Sequence, residues 1–459
     1  MPKSEMRLSA PLRTRAFTAC ASALLAGFSA VSASADLLIE NVTLIDGTGR
    51  APVAGATVLV EDDRITRVGR DAVDAPRGVD RIDGEGKYLI PGLMDVHIHL
   101  RGAVRVAKDG FVEDDHDVRL GEQALQGFLY SGVTTVYDVG NVPDYIFSLR
   151  ERERSGELIS TRLLATGGIV TYPGSHGSDH GATLIDDWPE ATVALQAHAD
   201  RQPDMVKFTL EERGWGARPL IPLLPVDLLQ HSIEFFNERG IRTTAHTSSE
   251  WRARQAIYAG IDTLAHPVIQ GPITDAFAKL MGAKKIPMTT TLTIGENYSR
   301  LAEHPEYLDQ PLYQAVLDAE EIRTLQEETA AKYRAETWTW WMKLMSPVAA
   351  ENLRKIHEAG GVLALGTDQS SGPAVHREME LLAAAGIPPL EVIRIATLNS
   401  ATFLGRADDM GSIEEGKIAD LVLLDADPSA DIDNAKQIRQ VIKAGEVIDR
   451  SALNLPVNR

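Results

Sequence analysis

Between Leu93 and Asp368 the chain alternates eight times between a short, apolar, largely β-branched run and a longer stretch of helical character. The runs are LMDVHIHL, VTTVYDVG, RLLATGGIV, DMVKFTL, IRTTAHT, DTLAHPV, IPMTTTLTI and GVLALGTD. Strands in this rhythm pair in parallel, because a parallel neighbour needs a crossover of a dozen or more residues, usually a helix. Eight units over about 270 residues predict an α/β fold of the TIM-like (β/α)8 type, for which ~250 residues is usual. Such a fold gathers whatever stands at the C-terminal ends of its strands into one ring.

Outside this region the language changes. DLLIENVTLIDGTG, ATVLVEDDRITRVG and DRIDGEGKYLIPG at one end, with GSIEEGKIADLVLLDADP and IRQVIKAGEVI at the other, are short alternating runs divided by Gly/Asp turns. They predict strands and hairpins at both chain ends. The segment LDAEEIRTLQEETAAKYRAETWTWWMKLM predicts helix between the seventh and eighth strands, with Trp338, Trp340 and Trp341 packed against the barrel.

A formal net charge of −19 argues against nucleic-acid or anionic-membrane partners, both of which need basic patches. The positive charge is concentrated at the start, where Lys3, Arg7, Arg13 and Arg15 face a single Glu5. The apolar AFTACASALLAGFSAVS and the small-residue ASA at 33–35 follow. This is the layout of a secretory signal peptide over residues 1–35, cleaved before Asp36, and it predicts an exported, periplasmic or secreted protein. Removing its net +3 leaves the mature chain at −22. The one cysteine, Cys20, leaves with it, so disulfides, thiolate ligands and a cysteine nucleophile are excluded from the mature chain. No later segment is apolar enough to span a membrane.

The strand ends carry the chemistry. Residues i and i+2 of a strand share a face, so His97 and His99 project side by side. Lys207 interrupts the apolar fourth run, His246 and His266 close the fifth and sixth, and Asp368 closes the eighth. Imidazole and carboxylate ligands without thiolate suit Zn²⁺, with Mn²⁺ or Co²⁺ as alternatives.

With PGLMDVHIHL, GVTTVYDVG, ATGGIV, MVKFT, TAHT, AGIDTLAH, ALGTD and the closing ATLNSATFLG…GSIEEGKIADLVLLDADP, the chain resembles the amidohydrolase superfamily over residues 36–459. The likeness is to its imidazolonepropionase-like and Xaa-Pro-dipeptidase-like members. The resemblance implies a metal-dependent hydrolase barrel over 91–409 and a small β-sandwich assembled from 36–90 and 410–459. It further implies two divalent metal ions, the more buried held by His97, His99 and Asp368 and the other by His246 and His266. Lys207, carboxylated by CO2, would bridge them. Two such ions lower the pKa of a water between them. Asp368 would then act as general base and acid. His176 in TYPGSHGSDH would stabilise the oxyanion, with His180 as rival.

Departures from the superfamily's patterns narrow the reaction. Deaminases there carry a His-x-x-Glu motif, and here Glu250 stands one position too late after His246. True imidazolonepropionases are mononuclear, so Lys207 argues against that activity. The expected function is hydrolysis of an amide or peptide bond in a small molecule of dipeptide or N-acyl-amino-acid type, ochratoxin-like amides included. Arg213 and Arg377 are the candidate clamps for its carboxylate. A lactone, carbamate or organophosphate ester hydrolase is the alternative on the same site, and a non-catalytic scaffold relative is the alternative of another class. Resembling enzymes are commonly homo-oligomers, and the same is expected here.

Overall fold

The structure is a computed structural model. It describes residues 36–459 except 71–75, 104, 108–109, 113–115, 180 and 214–219, and for 105–107 and 110–112 the backbone alone. The signal peptide expected over 1–35 and the rival His180 lie outside the described residues.

Each of the eight predicted runs contains a strand: β1 (Leu93–Ile98), β2 (Val133–Asp138), β3 (Arg162–Ala165), β4 (Met205–Thr209), β5 (Arg242–His246), β6 (Thr263–Ala265), β7 (Met288–Thr289) and β8 (Leu363–Ala364). All their pairings are parallel. β1, β2 and β3 form one sheet in that order; β4 to β8 form a second, extended beyond β4 by two short strands, Val170–Thr171 and Thr183–Leu184. Backbone hydrogen bonds continue past both breaks. Asp204 N donates to Ala165 O (3.0 Å) between β3 and β4, and Val96 N donates to Leu365 O (2.9 Å) between β1 and β8. Helices such as Val118–Tyr130, Val226–Asn237 and Thr337–Glu358 supply the crossovers, and with Gly372–Ala384 after β8 they bury apolar faces. With helices against them, the strands are buried throughout rather than alternating, as parallel sheets require. Trp338 and Trp341 pack against this core as predicted, while Trp340 stays 41% exposed.

β1 and β8 approach unusually closely. A Cβ on Gly366 would stand 2.6 Å from the Cβ of His97, so only glycine lets the eighth strand lie against the histidine strand there.

The seventh run departs from expectation. IPMTTTLTI reads as one long strand, yet β7 ends at Thr289 and a helix occupies Leu292–Glu303. Thr291 turns the chain with φ +32°. Buried Glu378 then accepts hydrogen bonds from Leu292 N (2.9 Å) and Thr293 N (2.7 Å), satisfying two free amides at the helix start.

The chain ends meet in one eight-stranded sheet: Leu37–Leu44, Val53–Glu61, Arg64–Gly69, Asp80–Asp83 and Tyr88–Pro91 from the first part, with Leu421–Leu424, Ile438–Lys443 and Glu446–Val447 from the last. Tyr88–Pro91 pairs on both edges, parallel with Leu37–Leu44 and antiparallel with Leu421–Leu424, and so joins the two contributions. The sheet has its own core of residues such as Ile39, Val58, Val60 and Leu421. Among the described residues no helix is long and apolar enough to cross a membrane.

Candidate metal centre

Side chains from five strands converge at one end of the two parallel sheets. His97 lies in β1 and His99 just beyond it, their ring centres 5.8 Å apart. Asp368 follows β8, and its Oδ1 lies 3.7 Å from His97 Nε2 and 3.5 Å from His99 Nε2. One donor atom from each of these three falls within 4.8 Å of the others. His246 ends β5 and His266 follows β6, with ring centres 4.5 Å apart, and the His266 ring is 4.2 Å from that of His97. Lys207 of β4 places its Nζ 3.2 Å from His97 Nε2. His176 brings its ring to 4.5 Å from His246, and its carbonyl accepts the Thr209 hydroxyl at 2.7 Å. All six expected ligands and His176 are therefore neighbours.

Burial sets the charge states. It holds His97, His246 and His266 well below the ordinary imidazole range and His99 at about 3, with the Lys207 ammonium pushing the same way. Burial lowers Lys207 to about 8 and raises Asp368 to about 7; the lysine and the aspartate each partly offset the other. Four neutral imidazoles and a carboxylate are the donor forms a divalent cation takes. The uncharged amine, accessible near neutrality, is the form that reacts with CO2. Among the described residues His97, His99 and Asp368 fit a divalent cation in type and spacing.

Surrounding residues fix these side chains. The buried Asp95 carboxylate accepts from His97 N (3.1 Å), Thr367 N (3.1 Å) and Thr367 Oγ1 (2.6 Å), locking β1 to the residue before Asp368. His99 Nδ1 bonds Gly140 O at 2.7 Å, which requires the proton on Nδ1 and frees Nε2. Asp138 accepts from Leu100 N (2.7 Å) and Gly140 N (3.0 Å) and so shapes both loops. His266 is held by Thr291 Oγ1 (3.0 Å from Nδ1) and Thr289 Oγ1 (2.8 Å from its N). Buried Glu211 lies 3.9 Å from His246 Nε2, and bonds Ser248 Oγ and Gln270 Nε2. His266 and Asp368 both occupy left-handed backbone, at φ +100° and +55°. Non-glycine residues there cluster at functional sites.

The ring opens into a cavity of about 670 Å³ whose wall includes Arg101, Asn141, His176 and Asp179. The two clamp candidates are placed elsewhere. Arg213 is exposed and outside that wall. Arg377 is bound by Glu296 and Glu380, also away from it. Glu250 turns outward, accepting from Thr274 N (2.7 Å) and pairing with Arg254, so it takes no part in the ring. Asp95, Asp138 and Glu211 went unmarked in the sequence. Glu211 offers one signal, an acidic residue four positions after Lys207 on an apolar run.

The Amidohydrolase family model matches residues 88–448. The imidazolonepropionase of Phocaeicola vulgatus is 26% identical, over 86% of this chain and 93% of its own. A Xaa-Pro dipeptidase crystallised with methionine in its active site has 22% identity and a TM-score of 0.70, over 90% of this chain and 100% of that one. Ochratoxinase of A. niger has 19% identity and a TM-score of 0.73, over 90% and 95%. At such identities the solved structures speak for the fold alone, whereas the family match spans most of the sequence and every residue of the ring. The chain belongs to the amidohydrolase family.

Proposed function

We propose that this protein hydrolyses the amide bond of a small substrate whose product carries a carboxylate, a dipeptide or N-acyl amino acid. On this reading β1 to β8 form a (β/α)8 barrel, and its rim holds two divalent cations, best suited to Zn²⁺. His97, His99 and Asp368 hold one and His246 and His266 the other, with Lys207 as a carbamate between them. The observation that carries the reading is Lys207 Nζ, buried and 3.2 Å from His97 Nε2. An ammonium there would repel two dications; a carbamate offers them anionic oxygen.

When bound, the cations supply Lewis acidity and a water acidic enough to ionise near neutral pH. The chain's own residues do the rest. Asp368 accepts the proton of the attacking water and returns it to the leaving nitrogen. His176 donates to the oxygen that gains charge as the carbonyl becomes tetrahedral. The cavity walls set the substrate's size.

The test is elemental analysis of protein purified without chelators, together with turnover of a dipeptide and N-acyl-amino-acid panel. About two ions per chain and turnover within the panel are expected. The panel also includes imidazolone propionate, because curated relatives bear that name, and lactones, carbamates and organophosphate esters. Turnover confined to one of these would replace the substrate class. A chain without bound metal and without turnover would be a scaffold. The signal read over 1–35 makes this an exported enzyme, checked by mass spectrometry for a mature start at Asp36.

A further inference from the structure

A carboxylate-bearing substrate needs a cation inside the cavity, all the more in a chain of net charge −19. Lys207 is committed to the metal ring, and Arg213 and Arg377 lie outside the cavity wall. Among the described residues of that wall one other lysine or arginine remains, Arg101. It stands two residues after His99, on the loop that leaves β1.

Its backbone is held from two sides. Arg101 N donates to Ser370 Oγ (3.0 Å), two residues beyond Asp368, and its carbonyl accepts the Tyr145 hydroxyl (2.6 Å). The preceding carbonyl, Leu100 O, accepts Asn141 Nδ2 at 2.9 Å. The guanidinium is anchored by Nη1 to the Glu321 carboxylate, carried by the helix Ala319–Thr324 inserted between β7 and β8. Its Nε is buried, while the side chain as a whole keeps 24% exposure. A guanidinium has five N–H donors in a planar fork, and Glu321 engages one of them. Among the described residues Glu321 is its one acceptor, which leaves donors for a second carboxylate, the planar partner that such a fork recognises best.

We infer that Arg101, steadied by Glu321, receives the substrate's carboxylate and selects for acids over their neutral amides. The inference rests on the amide-hydrolase reading and names the specificity residue of that site. It also gives the inserted helix a task, since Glu321 keeps the guanidinium from folding back onto Asp179 or Asp368, the two carboxylates of the cavity wall.

The test compares wild type, Arg101→Met and Arg101→Lys, all metal-loaded, on N-acetylphenylalanine and its carboxamide. Calorimetric titration with 3-phenylpropionate, which has no amide to cleave, runs beside it. Expected is a rise in KM of about 10–100-fold for the acid in Arg101→Met, little change for the carboxamide, and partial recovery in Arg101→Lys. Binding of 3-phenylpropionate should weaken by a similar factor. If Arg101→Met loses acid and carboxamide equally, or 3-phenylpropionate binds it as it binds wild type, the clamp is overturned while the hydrolase stands. If nothing in the panel is cleaved yet 3-phenylpropionate binding depends on Arg101, the clamp stands and the reaction falls.

Discussion

His97 and Asp368 are tied to each other by backbone across β1 and β8, whereas His266 stands beyond the last paired residue of β6 and is held by side chains. On the first side Asp368 N donates to His97 O (2.7 Å), and Asp95 clasps His97 N and both donors of Thr367. On the second, His246 pairs with Thr209 and Ala265 and lies beside Glu211, while His266 follows the last paired residue and depends on Thr289 and Thr291. Ligands joined by a direct backbone bond depend less on their neighbours' side chains. The half whose last member hangs on side chains should be the more fragile, and on the proposed reading Lys207 links the two.

Lys207→Ala should separate the halves most sharply. Turnover should vanish, one equivalent of metal should be lost and roughly one kept, and short carboxylic acids should restore part of the activity by standing in for the carbamate. Two ions retained per chain, read by elemental analysis, would remove the bridge. Asp368→Asn should keep the metals but lower kcat by about 10²–10⁴-fold, the usual weight of a proton-transfer group. An unchanged kcat would take Asp368 out of that role. Glu211→Leu should weaken only the His246/His266 half, by about 10–100-fold in metal affinity, as for other residues that orient a ligand. Competition with a chelator reads it, and equal weakening of both ions would erase the contrast drawn here.

The smallest effect sets a baseline from two histidines outside the ring. Burial lowers His198 and His376 to about 4. Each is neutral when folded and gains a proton near pH 6.5 when unfolded. Their contribution is therefore complete above 6.5 and is lost as the pH falls towards 4. Denaturant unfolding at pH 5.5 should show a loss of about 1 kcal/mol per histidine against pH 7.5. A replacement of His376 by leucine that leaves this slope unchanged would contradict the assignment.

The six residues of the ring could be marked in the sequence because each stands in or just after a short apolar run, which is a local property. The residues that fix them could not. Asp95 works through Thr367, 272 positions away, and Glu378 caps a helix 86 positions before it. Nothing near either residue announces such a partner. Glu378 also explains the misread seventh run, where β-branched residues favour a strand locally but a buried carboxylate from elsewhere offers two amides a helical start. Arg101 was hidden in the same way, since its place in the cavity depends on loops from β8 and an inserted helix. The chain ends were legible as strands, but not their sheet, because pairing of Tyr88–Pro91 with Leu421–Leu424 spans most of the molecule.

The left-handed bends at His266 and Asp368 bear on how such a protein ages. Each side chain there is unfavourable by roughly 1 kcal/mol relative to glycine, whose missing Cβ removes the clash. A lineage released from the reaction would drift downhill, exchanging either residue for glycine and melting at a higher temperature once inert. Strand packing alone asks for neither an imidazole nor a carboxylate at those corners. Both corners of this chain carry such a side chain all the same.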